Sequence, residues 1–419
     1  MKQMNVYLLD INSTEDTTGV SRYLHVLQEG LRHYTSVRVC RIVFQFSPRV
    51  TFVSIKELPE GKRQVIIPLP QHPDGTMNEP FWMEQYNKLA FGLIKQVFVD
   101  DGWHILHLHT LNLIDFALLV KKQVPNCRIV THLHCIPWKG LYNRDRQRFN
   151  RLYKQFCIDG MQQQKASMAM SCHNELKAYE EADHIVCVTE NGHRFITSLL
   201  GENANVSVIY NGMPDLNLND NACRHNDNQR VPFRLLYVGS ISPSKGLTYI
   251  LQALRMLQAE GYCLSLTVAG RGQSNYLETL RKEYADVEAD FVGRISLAEL
   301  KEYYQTCDAG VIASLQEQCS YVAIEMAMFA LPIVTTGIDG LDEMFADEVN
   351  ALKVPVDFSE TEGLSVNTIR LKEQIKRLTN SPLLRMTLGQ NARKLYEEKF
   401  CLNTMVKKTL EIYQKVTMK

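Results

Sequence analysis

The stretch Glu317-Gln318-Cys319-Ser320-Tyr321-Val322-Ala323-Ile324-Glu325 decides the fold of the second half of this chain. The run Ala309-Gly310-Val311-Ile312-Ala313-Ser314-Leu315 precedes it and has the composition of a buried strand. A helix is indicated over Val322 to Phe329, and a second strand-like run, Leu331 to Gly337, follows at once. Strand, helix and strand in immediate succession predict a βαβ unit within a parallel α/β sheet.

Two carboxylates, Glu317 and Glu325, stand at the exit of the first strand and within the helix. In open parallel sheets, ligands bind beyond the carboxyl ends of the strands, at helix N-termini. A carboxylate at that edge accepts two directed hydrogen bonds and therefore suits a polyhydroxyl ligand. For either acid alone, a solvated position or a helix-capping role is the alternative.

Length and charge limit the classes of function. A chain of 419 residues exceeds a typical single core, so two domains are expected. The 46 basic and 46 acidic residues balance, which predicts neither nucleic-acid binding nor general membrane binding. Balanced net charge does not exclude a local basic patch on the surface. Residues 143–156 have the pattern of a basic amphipathic helix, for which an anionic acceptor, a lipid surface or plain solvent is an equally good neighbour.

The expected location is the cytoplasm, with peripheral contact to the inner face of the membrane left open. Eleven scattered cysteines without a C-x-x-C pair are typical of a reducing compartment. The chain opens directly on the strand-like run 4–9, with no leading apolar region. The sequence contains no run of about eighteen apolar residues, so no transmembrane helix is expected.

In the first half, a candidate phosphate-binding turn joins the strand at 4–9 to a helical pattern. It contains Gly19-Val20-Ser21-Arg22, where the glycine lets backbone approach an anion and the helix start offers N–H groups. An ordinary strand-to-helix turn is the alternative.

Five histidines occupy two strand-like runs: His104, His107, His109, His132 and His134. No acidic or cysteine partner has metal-ligand spacing, and histidines on strands often only pack, so no metal site is expected. His134 is retained as a site residue. It falls where a parallel strand reaches the ligand edge, and its imidazole can bond a sugar hydroxyl or a phosphate oxygen.

Residues 215–230 are rich in Asn and Asp and predict the linker. The expected division is a first domain at 1–213, a linker at 214–232, a second domain at 233–385 and helices at 386–419. The second half alternates strands and helices, and four of its strand ends carry glycines or a cation. These are Gly239-Ser240 with Lys245-Gly246, Gly270-Arg271-Gly272, Gly293-Arg294, and Gly337 with Gly340. Together they predict one anion-binding crevice.

This pattern resembles the retaining glycosyltransferases of family four, which have the GT-B fold. The resemblance rests on the pair Glu317 and Glu325, on the glycine loops and Lys245, and less strongly on Gly19, Arg22 and His134. It implies two Rossmann-like doubly wound α/β domains that face a cleft, with a C-terminal helix crossing back to the first domain. The implied co-substrate is a nucleoside-diphosphate sugar, with no other cofactor and no metal.

The resemblance also implies roles for individual residues. Lys245 is expected on the diphosphate, Glu325 on the ribose, and Arg294-Ile295 near the base. Glu317 and His134 would face the transferred sugar, and with Lys245 they form the expected catalytic set. The remaining expected donor-binding residues are Gly19, Arg22, Gly239, Ser240, Gly270, Gly272, Cys319, Ser320, Tyr321 and Val322.

The chain departs from the family pattern at several positions. Ser240 stands where arginine is frequent, Gln318-Cys319-Ser320 replaces Gly-Phe-Gly, Thr18 replaces a glycine, and Cys135 follows His134 in place of aspartate. These departures leave the acid pair and the lysine intact.

Two other functions stay open: a nucleotide-sugar epimerase on the same fold, and a non-catalytic partner subunit. The acceptor is a glycan, a lipid-linked molecule or a protein, and the sequence does not choose among them.

Overall fold

A computed structural model describes residues 3–12, 19–47, 49–58, 62–69, 80–98, 101–135, 173–217, 232–359 and 363–418. The chain divides into two compact units. Unit 1 comprises Met1–Ile209 and Met405–Lys419, and unit 2 comprises Tyr210–Thr404. The predicted basic helix at 143–156 lies outside the described residues, as does most of the predicted linker.

Unit 1 is a parallel α/β unit. Its strands are β1 (Met4–Asn12), β2 (Val37–Gln45), β3 (Ser54–Leu58), β4 (Lys62–Pro68), β5 (Trp103–Leu108), β6 (Cys127–Leu133), β7 (His184–Cys187) and β8 (Val206–Val208). Its helices are α1 (Gly19–Leu31), α2 (Pro80–Ile94), α3 (Ile114–Gln123) and α4 (Glu190–Leu200), with a further helical stretch at 173–180.

The eight strands of unit 1 lie in the order β3-β4-β2-β1-β5-β6-β7-β8. All neighbouring pairs are parallel except β3 with β4. Both faces of the sheet are covered, because consecutive residues of β1 are buried from Met4 to Asp10.

Unit 2 has a six-stranded parallel sheet and a small hairpin. Its strands are β9 (Phe233–Val238), β10 (Leu264–Ala269), β11 (Ala289–Gly293), β12 (Ala309–Ile312), β13 (Ile333–Thr336), β14 (Leu352–Val354), β15 (Val356–Ser359) and β16 (Gly363–Val366). Its helices are α5 (Leu247–Ala259), α6 (Ser274–Glu283), α7 (Leu297–Thr306), α8 (Tyr321–Met328), α9 (Asp339–Met344), α10 (Thr368–Asn380) and α11 (Pro382–Leu395).

The sheet of unit 2 has the order β11-β10-β9-β12-β13-β14. Chain order therefore reverses between the neighbouring strands β9 and β12, which pair in parallel at Ala309 with Leu235 and Gly310 with Leu236. At such a reversal the crossover connections leave in opposite directions, and a crevice opens beyond the carboxyl ends of the two strands. This edge is the default place for a ligand in unit 2.

The core of unit 2 explains why its helices pack as they do. Apolar residues of α5 recur at helical spacing and are fully buried, among them Leu247, Ile250, Leu251 and Leu254. They pack on strand residues such as Val268. Burying one such side chain contributes about 1.5–3 kcal/mol relative to leaving it in water.

The end of the chain is shared between the two units. Helix α11 and the π-helical segment Tyr396–Phe400 belong to unit 2, where Arg393 forms an ion pair with Asp215. The last helix, α12 (Leu402–Thr417), contributes its residues from Met405 onward to unit 1, where Tyr413 is buried.

Two parallel α/β sheets and a last helix that contacts the first unit confirm the expected fold class. The domain boundaries expected from the sequence, 1–213, 214–232, 233–385 and 386–419, stay a prediction. None of the helices in the described part of the chain is long and apolar enough to span a bilayer.

Candidate functional site

Lys245 and Glu317 meet at the reversal point of the sheet in unit 2. Lys245 lies in the loop that follows β9, and Glu317 lies in the loop that follows β12. The ammonium group of Lys245 donates to Oε1 of Glu317, and Ser314 donates its hydroxyl to the same oxygen at 3.3 Å. The two charged side chains are 29% and 18% exposed, so a ligand can reach both of them.

Backbone packing brings these two loops together. Gly246 has a left-handed conformation (φ 70°) and caps α5, and a Cβ there would lie 1.9 Å from the carbonyl oxygen of Ala313. Leu315 donates its N–H to the Ser244 carbonyl at 2.8 Å. Only glycine tolerates both the dihedral angle and the contact, so the position of Lys245 depends on the residue that follows it.

The glycines at the ends of β9 and β10 pack against neighbouring backbone. A Cβ on Gly270 would lie 1.7 Å from the Gly239 carbonyl oxygen, and a Cβ on Gly272 would lie 2.3 Å from that of Ile241. The N–H of Gly239 donates to the carbonyl oxygen of Ala269 at 3.0 Å. These glycines therefore allow adjacent loops to touch each other, and their predicted contact with a donor stays a prediction.

The loop between the two acids is held from two sides. Gly340 donates its N–H to the Glu317 carbonyl at 2.9 Å, and a Cβ there would lie 1.5 Å from the Gln318 carbonyl oxygen. Cys319 is buried, and its carbonyl accepts a hydrogen bond from the side chain of Asn211 at 2.7 Å. Burial raises the pKa of the Cys319 thiol to about 12. Ser320 caps α8 by accepting the N–H of Ala323 at 3.4 Å.

Glu325 is 1% exposed and lies in the core of unit 2. Its Oε2 accepts a hydrogen bond from the hydroxyl of Tyr304 at 2.6 Å, and the ring of Tyr304 stacks on Phe329 at 5.3 Å. The structure thus separates the two acids: Glu317 is accessible, whereas Glu325 is oriented by a buried tyrosine. The predicted ribose contact of Glu325 stays a prediction.

The other expected donor-binding residues of unit 2 line the same edge of the sheet. Ser240 is exposed, and its carbonyl accepts the hydroxyl of Tyr237 at 2.7 Å. Arg294 is exposed directly after β11, and Ile295 beside it is half-buried. Tyr321 is buried and Val322 half-buried in the first turn of α8, whose N-terminus follows the carboxyl end of β12.

In unit 1, Gly19 is the exposed first residue of α1, and Arg22 is half-buried in its first turn. His134 follows β6, with the ring of Tyr23 packed edge-on against it at 4.8 Å. Its Nε2 lies 2.9 Å from Nδ1 of His109. Burial lowers the pKa of His134 to about 3, so this imidazole is neutral at physiological pH.

Sequence reasoning missed three residues that shape the site: Ser314, Asn211 as a partner of Cys319, and Tyr304. Ser314 lies two residues beyond the end of the buried strand β12, so the rule that polar residues near strand ends face ligands could have found it. Tyr304 and Asn211 carry no such local signal, because they act through contacts across 21 and 108 positions of sequence.

Comparison with known proteins gives the same assignment for both halves. The family model described as Glycosyltransferase Family 4 matches residues 17–215, and the model described as Glycosyl transferases group 1 matches residues 232–373. An uncharacterized glycosyltransferase of Methanocaldococcus jannaschii is 26% identical over 259 residues, which cover 59% of this chain and 64% of that protein. The chain therefore spans less than two thirds of this relative's length.

Solved structures share the fold over nearly the whole chain. A sucrose-phosphate synthase from Thermosynechococcus elongatus superposes with a TM-score of 0.70 at 18% identity, covering 99% of both chains. The Anabaena protein HepE, solved in complex with UDP and glucose, gives a TM-score of 0.67 at 16% identity and covers 97% of this chain and 99% of its own. With the acid pair, the glycine loops and the two family matches in agreement, this chain belongs to the group 1, family-four glycosyltransferases and has the GT-B fold.

Proposed function

We propose that this chain is a retaining glycosyltransferase. It moves a sugar from a nucleoside-diphosphate sugar, of UDP or GDP type, to a glycan, lipid-linked or protein acceptor without a catalytic metal. The observation that carries the proposal is the accessible Lys245–Glu317 pair at the reversal point of the sheet in unit 2. A cation and an anion side by side suit a ligand that carries phosphates at one end and hydroxyls at the other.

In the proposed reaction, the bond between the anomeric carbon and the diphosphate breaks, and the acceptor oxygen bonds to the same face of that carbon. The acceptor proton passes to the departing phosphate. Lys245 and the N-termini of α5 and α8 offset the negative charge that develops on the diphosphate. Glu317 accepts hydrogen bonds from the hydroxyls of the transferred sugar. We assign acceptor recognition to unit 1. His134, Gly19 and Arg22 are the residues of this unit that we propose bind the donor.

The test combines donor binding with transfer. UDP- and GDP-sugars are screened by thermal shift, beginning with UDP-glucose because the Anabaena protein was solved with UDP and glucose. We expect Lys245→Ala to weaken donor binding by about 10- to 100-fold, the value of a charge-assisted hydrogen bond. Glu317→Gln should lower the transfer rate by about the same factor. Lys372→Ala, which removes the lysine of a Lys–Glu pair elsewhere in unit 2, is the matched control and should change neither value.

Two further experiments distinguish this function from the epimerase and the non-catalytic subunit. Incubation of the donor without acceptor gives epimerised sugar if the protein is an epimerase. A non-catalytic subunit would leave cellular glycan unchanged in Lys245→Ala and Glu317→Ala strains while deletion of the protein alters it.

A further inference from the structure

Four histidines cluster at the ends of two neighbouring strands of unit 1. His107 lies in β5 and His109 follows it, while His132 lies in β6 and His134 follows it. Strands β5 and β6 pair in parallel, with His107 opposite Val130 and Leu108 opposite Thr131. Alternation along a strand points residues two apart to the same side, so the sheet brings all four rings to one face.

Three of these histidines are deeply buried and close enough to share one ion. His107, His109 and His132 are 0%, 6% and 1% exposed. One ring nitrogen from each lies within 4.8 Å of the others. The ring centroids of His107 and His109 are 4.2 Å apart, and that of His132 lies 5.3 Å and 5.2 Å from them.

Each of the three rings has a neighbour on its Nδ1 atom. Nδ1 of His107 lies 2.8 Å from the hydroxyl of Tyr413, Nδ1 of His109 lies 2.9 Å from Nε2 of His134, and Nδ1 of His132 lies 3.4 Å from the hydroxyl of Tyr23. A proton on each Nδ1 is compatible with these contacts and leaves the Nε2 atoms of His109 and His132 without a hydrogen-bond partner among the described residues. Metal-binding histidines commonly use this arrangement, in which the second ring nitrogen donates to an outer partner.

The surroundings of the three Nε2 atoms differ. Those of His109 and His132 are buried and have no hydrogen-bond partner among the described residues. Nε2 of His107 has the 3.3 Å contact with Nδ1 of His132. Buried polar atoms in native proteins are nearly always paired with a protein group, an ordered water or an ion, so two such nitrogens in one cluster mark a site for one of these partners.

We propose that His107, His109 and His132 bind a divalent transition metal ion, zinc in the first instance, through one ring nitrogen each. Neutral imidazole suits zinc, and three histidines leave the fourth tetrahedral position to water. The charge of Arg41, which acts on His109, is offset by its ion pair with Asp10 at 3.5 Å. The ion would tie β5 to β6, and through His109 it would hold the proton of His134 on Nδ1. The ion would not touch the reacting atoms of the proposed transfer, and metal binding is measured without that reaction, so the proposal does not depend on that function.

The test uses the full-length chain, stripped of metal with a chelator and then titrated with Co²⁺. We expect uptake of about one equivalent, with the intense visible bands of four-coordinate cobalt, and displacement of the cobalt by Zn²⁺. His109→Gln and His132→Gln should weaken cobalt binding by at least about tenfold. His104→Gln is the matched control, because His104 is a buried histidine of the same strand that pairs with Tyr7 at 3.0 Å.

Stripped wild-type protein that takes up no four-coordinate cobalt would overturn the proposal, as would equal cobalt affinity in wild type and both cluster variants. If a glutamine variant fails to fold by circular dichroism, Tyr413→Phe replaces it. This change removes only the outer partner of His107 and should weaken cobalt binding by about tenfold.

Discussion

Asn211 holds Cys319 through two contacts: its side-chain Nδ2 donates to the Cys319 carbonyl at 2.7 Å, and its backbone N–H lies 3.3 Å from the sulfur. The first residues of unit 2 thereby fix the loop that separates Glu317 from Glu325. The position of the accessible acid thus depends on a buried amide 108 residues earlier in the chain.

Asn211→Ala should release this loop. We expect the free energy of unfolding to fall by about 1–2 kcal/mol, because a buried carbonyl loses its donor, and donor-sugar affinity to fall with it. Chemical denaturation and calorimetric titration measure the two effects. Asn211→Asp keeps the size but points an oxygen at the carbonyl, so it should destabilise at least as much. Wild-type affinity in both variants would show that the loop does not need this residue.

Gly340→Ala should be severe, because its Cβ would lie 1.5 Å from the Gln318 carbonyl oxygen. The backbone on one side must move, which costs about 2–3 kcal/mol of unfolding free energy and shifts Glu317. Gly337→Ala is the matched control. Its Cβ would lie 3.3 Å from a side-chain oxygen of Asp342 and at ordinary contact distances from the Val354 carbonyl oxygen (3.7 Å) and the Lys353 side chain (3.9 Å), so a small shift of the Asp342 side chain relieves it. Equal unfolding midpoints for the two variants in a urea titration would contradict the packing described for Gln318.

Tyr304→Phe should destabilise unit 2 by about 1.5–3 kcal/mol, because the buried carboxylate of Glu325 loses a hydrogen bond of 2.6 Å. A double-mutant cycle with Glu325→Gln isolates the coupling between the two side chains. Tyr303→Phe, one position away and half-buried, serves as the control. A coupling energy near zero would mean that the hydroxyl and the carboxylate act independently.

The contribution of Asp215 to stability should be lost at acid pH. Burial raises the pKa of Asp215, but the hydrogen bonds from Arg393 and the N–H of Asn217 outweigh it and hold the pKa below its ordinary value of 3.8. A group whose pKa is depressed by folding stabilises the protein at pH values above its pKa in the unfolded chain. This stabilisation is lost as the pH falls through its pKa in the folded protein. Asp215→Asn should therefore lower the unfolding free energy by about 1–2 kcal/mol at pH 7, with the deficit shrinking below about pH 4.

Urea unfolding at a series of pH values from 7 to 3 measures this effect. Glu397→Gln, which alters an exposed partner of the same arginine, should leave the curve close to wild type. A deficit that stays constant down to pH 3 would contradict the ion-pair account.

Cys319 should resist alkylation in the folded protein, because it is buried and its pKa is raised to about 12, so little thiolate forms. Cys263 is exposed and should react before Cys319. Timed iodoacetamide labelling followed by peptide mass spectrometry distinguishes the two sites. Early labelling of Cys319 without loss of structure would show that the loop between the acids opens.

The sequence by itself determined the α/β class, the two-domain organisation, and the placing of Lys245 and Glu317 at one edge of a sheet. These features are local. Strands and helices follow from apolar periodicity and glycine positions, and the carboxyl ends of neighbouring parallel strands must share an edge.

Only the tertiary structure decided what surrounds those residues. The burial of Glu325 on Tyr304, the attachment of Cys319 to Asn211 and the convergence of His107, His109 and His132 all depend on which elements pack together. The spacing of histidines along two strands is the same in the sequence whether their side chains share one face of the sheet or lie on opposite faces. Strand pairing settles that choice, because register and side are properties of the assembled sheet and not of either strand alone.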